Sequence, residues 1–260
     1  MDWDLIAIGS AASLAAGAAT AIGALVVLVV RRLSQPVNDA LLGFSAGVML
    51  AASFFSLIIP GMEYAKAAGG SAPAAAAIVI AAVMLGALVL AAVNRYVPHE
   101  HFILGLQGIE TRVLRRIWLF VFAITLHNFP EGLAVGVGYG TGDIASGNTL
   151  AIGIGLQNIP EGLAVAAALR SLGYAPLTCF AVGGATGLVE PIGGLLGVTA
   201  VTVFTPLLPW GLGFAAGAML FVVSNEIVPE THRRGNEELA TFGLMIGIVV
   251  MMFLDVTLTK

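Results

Sequence analysis

His127-Asn128-Phe129-Pro130-Glu131-Gly132-Leu133-Ala134-Val135 and Gln157-Asn158-Ile159-Pro160-Glu161-Gly162-Leu163-Ala164-Val165 decide the reading of this chain. The two stretches are identical at seven of nine positions at a shift of thirty residues. Each lies inside a long apolar run, and each carries a carboxylate, a carboxamide and a proline where lipid would reject them. An ionisable group at the centre of a membrane helix costs about 2.5–3.5 kcal/mol on the insertion scale, so such a group needs a reason.

The surroundings make a membrane setting unavoidable. Of 260 residues, 58% are hydrophobic and 10% charged, whereas a soluble domain carries about 25% charged residues. Apolar runs are read at Leu5–Val30, Leu41–Tyr64, Ala74–Val93, Ile117–Tyr139, Leu150–Leu169, Leu177–Phe204, Leu212–Val228 and Leu239–Leu258. Eight spans of about 20 residues leave material only for short loops. The predicted fold is therefore all-α, a single polytopic membrane domain covering residues 1–260 with no separate soluble part. Met1-Asp2-Trp3-Asp4 has no basic region and no small-residue cleavage site, so the first run is not read as a removable signal. One cysteine, Cys179, excludes an internal disulfide framework.

Orientation follows from the basic residues, which accumulate on the cytoplasmic side. Nine of the eleven, all arginines, fall after spans 1, 3, 5 and 7, and only Lys66 and Lys260 fall on the other side. Both termini are expected outside. Consecutive spans 4 and 5 run in opposite directions, so their shared motif is an inverted repeat. A second repeat relates Gly43-Phe44-Ser45-Ala46-Gly47-Val48-Met49-Leu50 to Gly213-Phe214-Ala215-Ala216-Gly217-Ala218-Met219-Leu220, six of eight identical at a shift of 170. Spans 1–3 are thus expected to correspond to spans 6–8, with spans 4 and 5 a central pair. Gly43, Gly47, Gly213 and Gly217 read as packing positions, since small residues four apart let helices approach closely.

Residues four apart share a helix face, which pairs His127 with Glu131 and Gln157 with Glu161. Asn128 and Asn158 sit beside them, and Glu190 and Met49 reach a similar depth from spans 6 and 2. Pro130 and Pro160 leave the carbonyls of Leu126 and Leu156 without their usual donors, tolerable where backbone lines a polar cavity. Carboxylates with imidazole, carboxamide oxygens and a soft thioether suit a first-row divalent metal, zinc over magnesium or calcium. The competing structural reading is a pair of protonated acids hydrogen-bonded between helices.

The paired motifs, the eight-span plan and Glu190-Pro191 resemble the ZIP family of zinc- and iron-regulated metal transporters, and the short cytoplasmic loop together with the span 2 motif resembles its bacterial branch. The resemblance implies a central, often two-metal, site. Carried over, His127, Glu131, Gln157, Glu161 and Met49 would bind a first ion. Asn128, Asn158 and Glu190, bridged by Glu131 and Glu161, would bind a second. Some bacterial members have aspartate at the position of Asn158; with three carboxylates here, one tightly held ion is expected. His99 and His101 resemble the family's histidine-bearing loop, Glu226, Glu230 and His232 its acidic exit, and Ser56 and Glu63 its outer entrance. A solvated loop and ordinary interfacial polarity explain these as well. Asp255, in the last span, requires a partner that the sequence does not reveal.

The resemblance implies zinc uptake by elevator-like alternating access, with spans 1, 4, 5 and 6 moving past 2, 3, 7 and 8. It implies a multi-pass protein of the bacterial inner membrane, with divalent ions and the bilayer as partners, room for a homodimer, and no nucleic acid. No cofactor is expected beyond the transported ion, Zn²⁺ with Cd²⁺, Fe²⁺ and Mn²⁺ as further cargo. An enzyme is not expected. An intramembrane metalloenzyme built on the same cluster would want a motif such as H-E-x-x-H, which is missing, and a metal channel would share every ligand. A phosphate-binding loop is also absent, because neither lysine follows G-x-x-x-x-G.

Overall fold

The computed structural model describes residues 2–30, 33–96, 109–232 and 235–259. Eight helical segments are long and apolar enough to cross a membrane: span 1 Trp3–Leu28, span 2 Gln35–Ala67, span 3 Ala72–Val93, span 4 Phe120–Gly140, span 5 Ile144–Ser171, span 6 Pro176–Val203, span 7 Thr205–Thr231 and span 8 Glu237–Leu258. No strand occurs among the described residues.

Several boundaries extend past the apolar runs, for local reasons. Span 2 begins at Gln35 rather than Leu41 because Pro36 occupies its first turn, where a missing N–H costs nothing. Span 7 starts ahead of Leu212, with Pro206 and Pro209 in the opening turns of its two helical pieces. Span 5 begins at Ile144 because Asp143 caps it, accepting from the N–H groups of Ala145 and Ser146 at 3.0 and 3.2 Å. The helix containing span 4 starts earlier still, at Ile109.

Spans 2 and 7 are not regular α-helices. Each passes through a π-helical segment, Ala52–Ile58 in span 2 and Val223–Ile227 in span 7. Both follow the G-x-x-x-G-x-Met-Leu motif at corresponding positions, so the repeat visible in sequence extends to a shared distortion of the backbone. Such segments concentrate at functional sites.

Packing obeys the same internal symmetry. Gly43 and Gly47 press on the Ala240 and Leu244 carbonyls of span 8, while Gly213 and Gly217 press on the Val79 and Val83 carbonyls of span 3. Gly132 meets the Glu190 carbonyl and Gly162 the Thr20 carbonyl; Gly193 meets that of Phe129 and Gly23 that of Ile159. These contacts pair off between the halves, at shifts of 170 and 30 residues for spans 1, 2, 4, 5, 6 and 7 and of 161 for spans 3 and 8. Gly17 and Gly187 are each other's counterparts and touch one another's carbonyls, which places the pseudo-twofold axis between them. Spans 1–3 therefore correspond to spans 6–8 around the central pair, as the repeats predict.

These backbone-tight seams join 2 with 8, 3 with 7, 1 with 5, 4 with 6 and 1 with 6. The boundary between spans 1, 4, 5, 6 and spans 2, 3, 7, 8 is made differently. There Gly153 meets the flexible end of Met251, and Gly211 meets the side chains of Val137 and Val201.

Candidate metal centre

The central pair of helices delivers the motif side chains to the middle of the bundle. Both run unbroken through their prolines, so His127 and Glu131 remain one turn apart, as do Gln157 and Glu161. Met49, Asn128, Glu131, Gln157, Asn158 and Glu190 are fully buried, and His127 and Glu161 are no more than 2% exposed. Glu131 lies within electrostatic range of Glu161 and Glu190, and Glu161 within range of His127.

Hydrogen bonds between the two halves organise part of this group. Gln157 Nε2 donates to Glu131 Oε1 at 2.6 Å. Asn158 Nδ2 donates to Glu190 Oε1 at 2.8 Å and to the Ala16 carbonyl at 2.9 Å. The other face of Glu190 is tied down through its backbone, whose carbonyl accepts from Ser13 Oγ at 2.8 Å. Span 2 contributes Ser45, whose hydroxyl donates to the Gln157 carbonyl at 2.9 Å.

Much of the polarity is left over. Both carboxylate oxygens of Glu161, one each of Glu131 and Glu190, the carboxamide oxygens of Gln157 and Asn158, and both polar atoms of Asn128 are buried without a hydrogen bond. Neither ring nitrogen of His127 makes one. A buried polar atom without a partner costs about 1–3 kcal/mol, and a native chain carries few of them. So many on facing helices describe a site shaped for something that brings its own charge. Among the described residues, no three His, Cys, Asp or Glu side chains close on a single point. The reason is visible in the bonds above: the Gln157 and Asn158 amides hold one oxygen of Glu131 and one of Glu190.

The residues expected at entrance and exit have distinct placements. Glu226 reaches from the π-helical part of span 7 to within 3.4 Å of His127 Nδ1, so it stands beside the central group. Sequence spacing could not place it, since a π segment alters the helical phase. Glu230 is half-buried one turn further along. His232 is used locally, its Nδ1 lying 2.9 Å from the Val228 carbonyl and 3.0 Å from Thr231 Oγ1. Ser56 donates to Asp255 at 3.2 Å, which supplies a partner for the half-buried aspartate. Glu63 is exposed near the end of span 2. His99 and His101 lie outside the described residues.

An eight-span helical bundle with an internal two-fold and a buried, under-satisfied polar centre at mid-depth is the construction of a membrane transporter. The chain is a multi-pass membrane protein of that class and not an enzyme. A family model described as "ZIP Zinc transporter" matches residues 105–255. The chain is 47% identical over 250 residues to "Zinc transporter GufA" of Myxococcus xanthus, covering 96% of this chain and 98% of that protein. It is 50% identical over 241 residues to "Zinc transporter ZIPB" of Bordetella bronchiseptica, covering 93% and 78%. The human "Zinc transporter ZIP11" is similar at 34% identity, covering 92% and 94%. This chain belongs to the ZIP zinc transporter family.

Proposed function

We propose that the chain moves divalent metal cations, zinc foremost and Cd²⁺, Fe²⁺ or Mn²⁺ as competitors, across a bacterial inner membrane into the cytoplasm. The observation that carries this reading is the concentration of unpartnered oxygen and nitrogen atoms on His127, Asn128, Glu131, Gln157, Asn158, Glu161 and Glu190. With Met49 they form a donor set whose imidazole and thioether favour zinc over harder ions. The arginine-rich loops support an orientation with both termini outside.

A cation arriving from the terminal side passes Glu63 and the Ser56–Asp255 pair. It loses water against Glu131 and Glu161, whose charge substitutes for hydration. The ion competes with the Gln157 amide for Glu131, and a turned Gln157 presents its free Oε1 instead. One ion is the expected load, because Glu131, Glu161 and Glu190 supply three negative charges and two divalent ions would exceed them. Release proceeds toward the arginine-rich side past Glu226, Glu230 and the loop bearing His99 and His101.

The contrast between seams supports a moving-barrier mechanism. Spans 1, 4, 5 and 6 are locked together through backbone contacts at glycine, whereas the glycines at their boundary with spans 2, 3, 7 and 8 meet side chains, and one hydrogen bond, from Ser45 to the Gln157 carbonyl, crosses it. Such a boundary can slide without pulling helices apart. Crosslinks across it should trap two registers, metal-loaded and metal-free, and a single register in both conditions refutes the sliding step.

Uptake of zinc into vesicles by the wild type, His127→Ala and Glu161→Ala, with competing divalent ions, tests the whole reading. Both variants should lose at least ten-fold in uptake while retaining their elution profile. Uptake unchanged in both removes the site assignment. Saturation at low flux distinguishes a carrier from a channel.

A further inference from the structure

Thr20 is the counterpart of Glu190: both stand at equivalent positions of the repeat, 170 residues apart, and the carbonyl of each is met by the equivalent glycine of the motif, Gly162 for Thr20 and Gly132 for Glu190. A threonine in a membrane helix ordinarily turns its hydroxyl back to the carbonyl four residues earlier. Thr125, Thr149, Thr202 and Thr257 all do so, at 2.6–3.0 Å. Thr20 does not. The carbonyl it would use, that of Ala16, accepts from Asn158 Nδ2 instead, and Thr20 Oγ1 is fully buried with no partner.

Thr20 Oγ1 lies against span 6, 2.8 Å from where a Cβ on Gly187 would stand, and the symmetry names the polar group on its side of the centre. In one half, Glu190 of span 6 is bonded to Asn158 of span 5. The equivalent link in the other half would run from Thr20 of span 1 to Asn128 of span 4. Threonine is two carbons shorter than glutamate, so its oxygen stops roughly 2.5 Å short, two C–C bonds of ~1.5 Å. That shortfall is about one water diameter. Consistently, Asn128 is also fully buried with neither polar atom bonded. Two groups that close a link in one half stand open in the other.

We propose that Thr20 Oγ1 and the Asn128 carboxamide form a neutral oxygen subsite on the span 1 side of the metal centre, which holds one water of the partly hydrated cation. The subsite spares the protein a fourth carboxylate while giving the ion a place to keep one water. It rests on the metal-transport reading above and adds Thr20 as a positioning residue that acts through bound water.

Thr20→Val removes the hydroxyl at nearly constant shape, Thr20→Ser keeps it, and His127→Ala tests the underlying site. The measurements are zinc affinity of the purified transporter by calorimetry, KM and maximal rate of zinc uptake, and melting temperature without metal. In Thr20→Val, zinc affinity should fall about ten-fold, equivalent to 1.4 kcal/mol, with KM rising in proportion. Its metal-free melting temperature should hold or rise, since an unpartnered hydroxyl is replaced by a methyl. Thr20→Ser should restore affinity. A Thr20→Val protein that melts lower yet binds zinc like the wild type makes the hydroxyl purely structural and overturns the proposal, as does failure of serine to restore binding. Unchanged zinc affinity in His127→Ala overturns the metal-site reading itself, and loss there with no change in Thr20→Val overturns only the Thr20 subsite.

Discussion

Gly155 and Gly162 lie two turns apart on the same face of span 5, yet alanine should act oppositely at the two positions. A Cβ at Gly155 would sit 3.8 Å from Ala16 Cα and 3.9 Å from Ala19 Cβ, ordinary contact distances. At Gly162 it would overlap the Thr20 carbonyl oxygen and lie 2.7 Å from the carbonyl carbon. Ordinary contact begins at 3.4 Å, so spans 1 and 5 would have to part by at least about 0.7 Å, and a backbone carbonyl cannot rotate out of the way. Both substitutions gain up to about 1 kcal/mol of helix propensity. The difference between them therefore isolates the overlap, about 1–3 kcal/mol for overpacking, or several degrees of melting temperature at this chain length. Glu161, adjacent to Gly162, would shift by a distance larger than the ~0.2 Å tolerance of metal–ligand bonds. Zinc affinity should fall in Gly162→Ala and hold in Gly155→Ala. The assay is melting in detergent with and without zinc, alongside calorimetry. Equal melting temperatures and equal affinities for the two variants refute the claim that the span 1–span 5 seam sets the position of the carboxylate.

Asp143→Ala should cost about 1 kcal/mol through loss of the span 5 cap, and Asp143→Asn much less. Hydrogen bonds from Ser146, above all from its hydroxyl, hold the Asp143 carboxyl below its ordinary pKa; its charge-linked contribution is present above the unfolded value near 3.9 and is lost as pH falls through the lower folded one. The gap between wild type and Asp143→Ala in thermal melts should thus narrow below about pH 4. Asp39 is fully buried and accepts from Gln35 Nε2 at 2.7 Å and Asn236 Nδ2 at 2.8 Å; Asp39→Ala removes both bonds, of which the Gln35 amide is exposed to solvent and the Asn236 amide half-buried, and should cost about 1 kcal/mol, read as lower melting temperature. Ser56→Ala withdraws the hydroxyl from Asp255, and uptake measurements should show a higher KM for zinc with a smaller change in maximal rate. A lower maximal rate at constant KM would argue against an entrance role for the pair.

Much of the architecture was legible because lipid leaves so few alternatives. A charge or a proline in an apolar run stands out, so the N-x-P-E-G pair exposed both the centre and the inverted repeat. Gly43 and Gly217 were readable as packing residues because only small side chains allow such approach. What escaped the sequence was phase and contact. The nearness of Glu226 to His127 was not legible, because the π segment that carries Glu226 alters the helical phase. The partner of Asp255 was hidden because Ser56 lies 199 residues away. Thr20 carried no motif at all; its part becomes visible only once Asn158 is seen to occupy the Ala16 carbonyl.

The matched π segments carry a consequence for how spans 2 and 7 can change over evolutionary time. Each wider turn absorbs roughly one extra residue, and one residue amounts to about 100° of helical rotation. A single-codon deletion within Ala52–Ile58 would let the helix relax to ordinary winding and leave the residues beyond it close to their present angle, because the residue lost and the winding regained are each worth about 100°. The two stretches are thus the places where spans 2 and 7 can lose one residue without turning their far halves, whereas the same deletion in the regular part of either helix would rotate everything beyond it by about 100°.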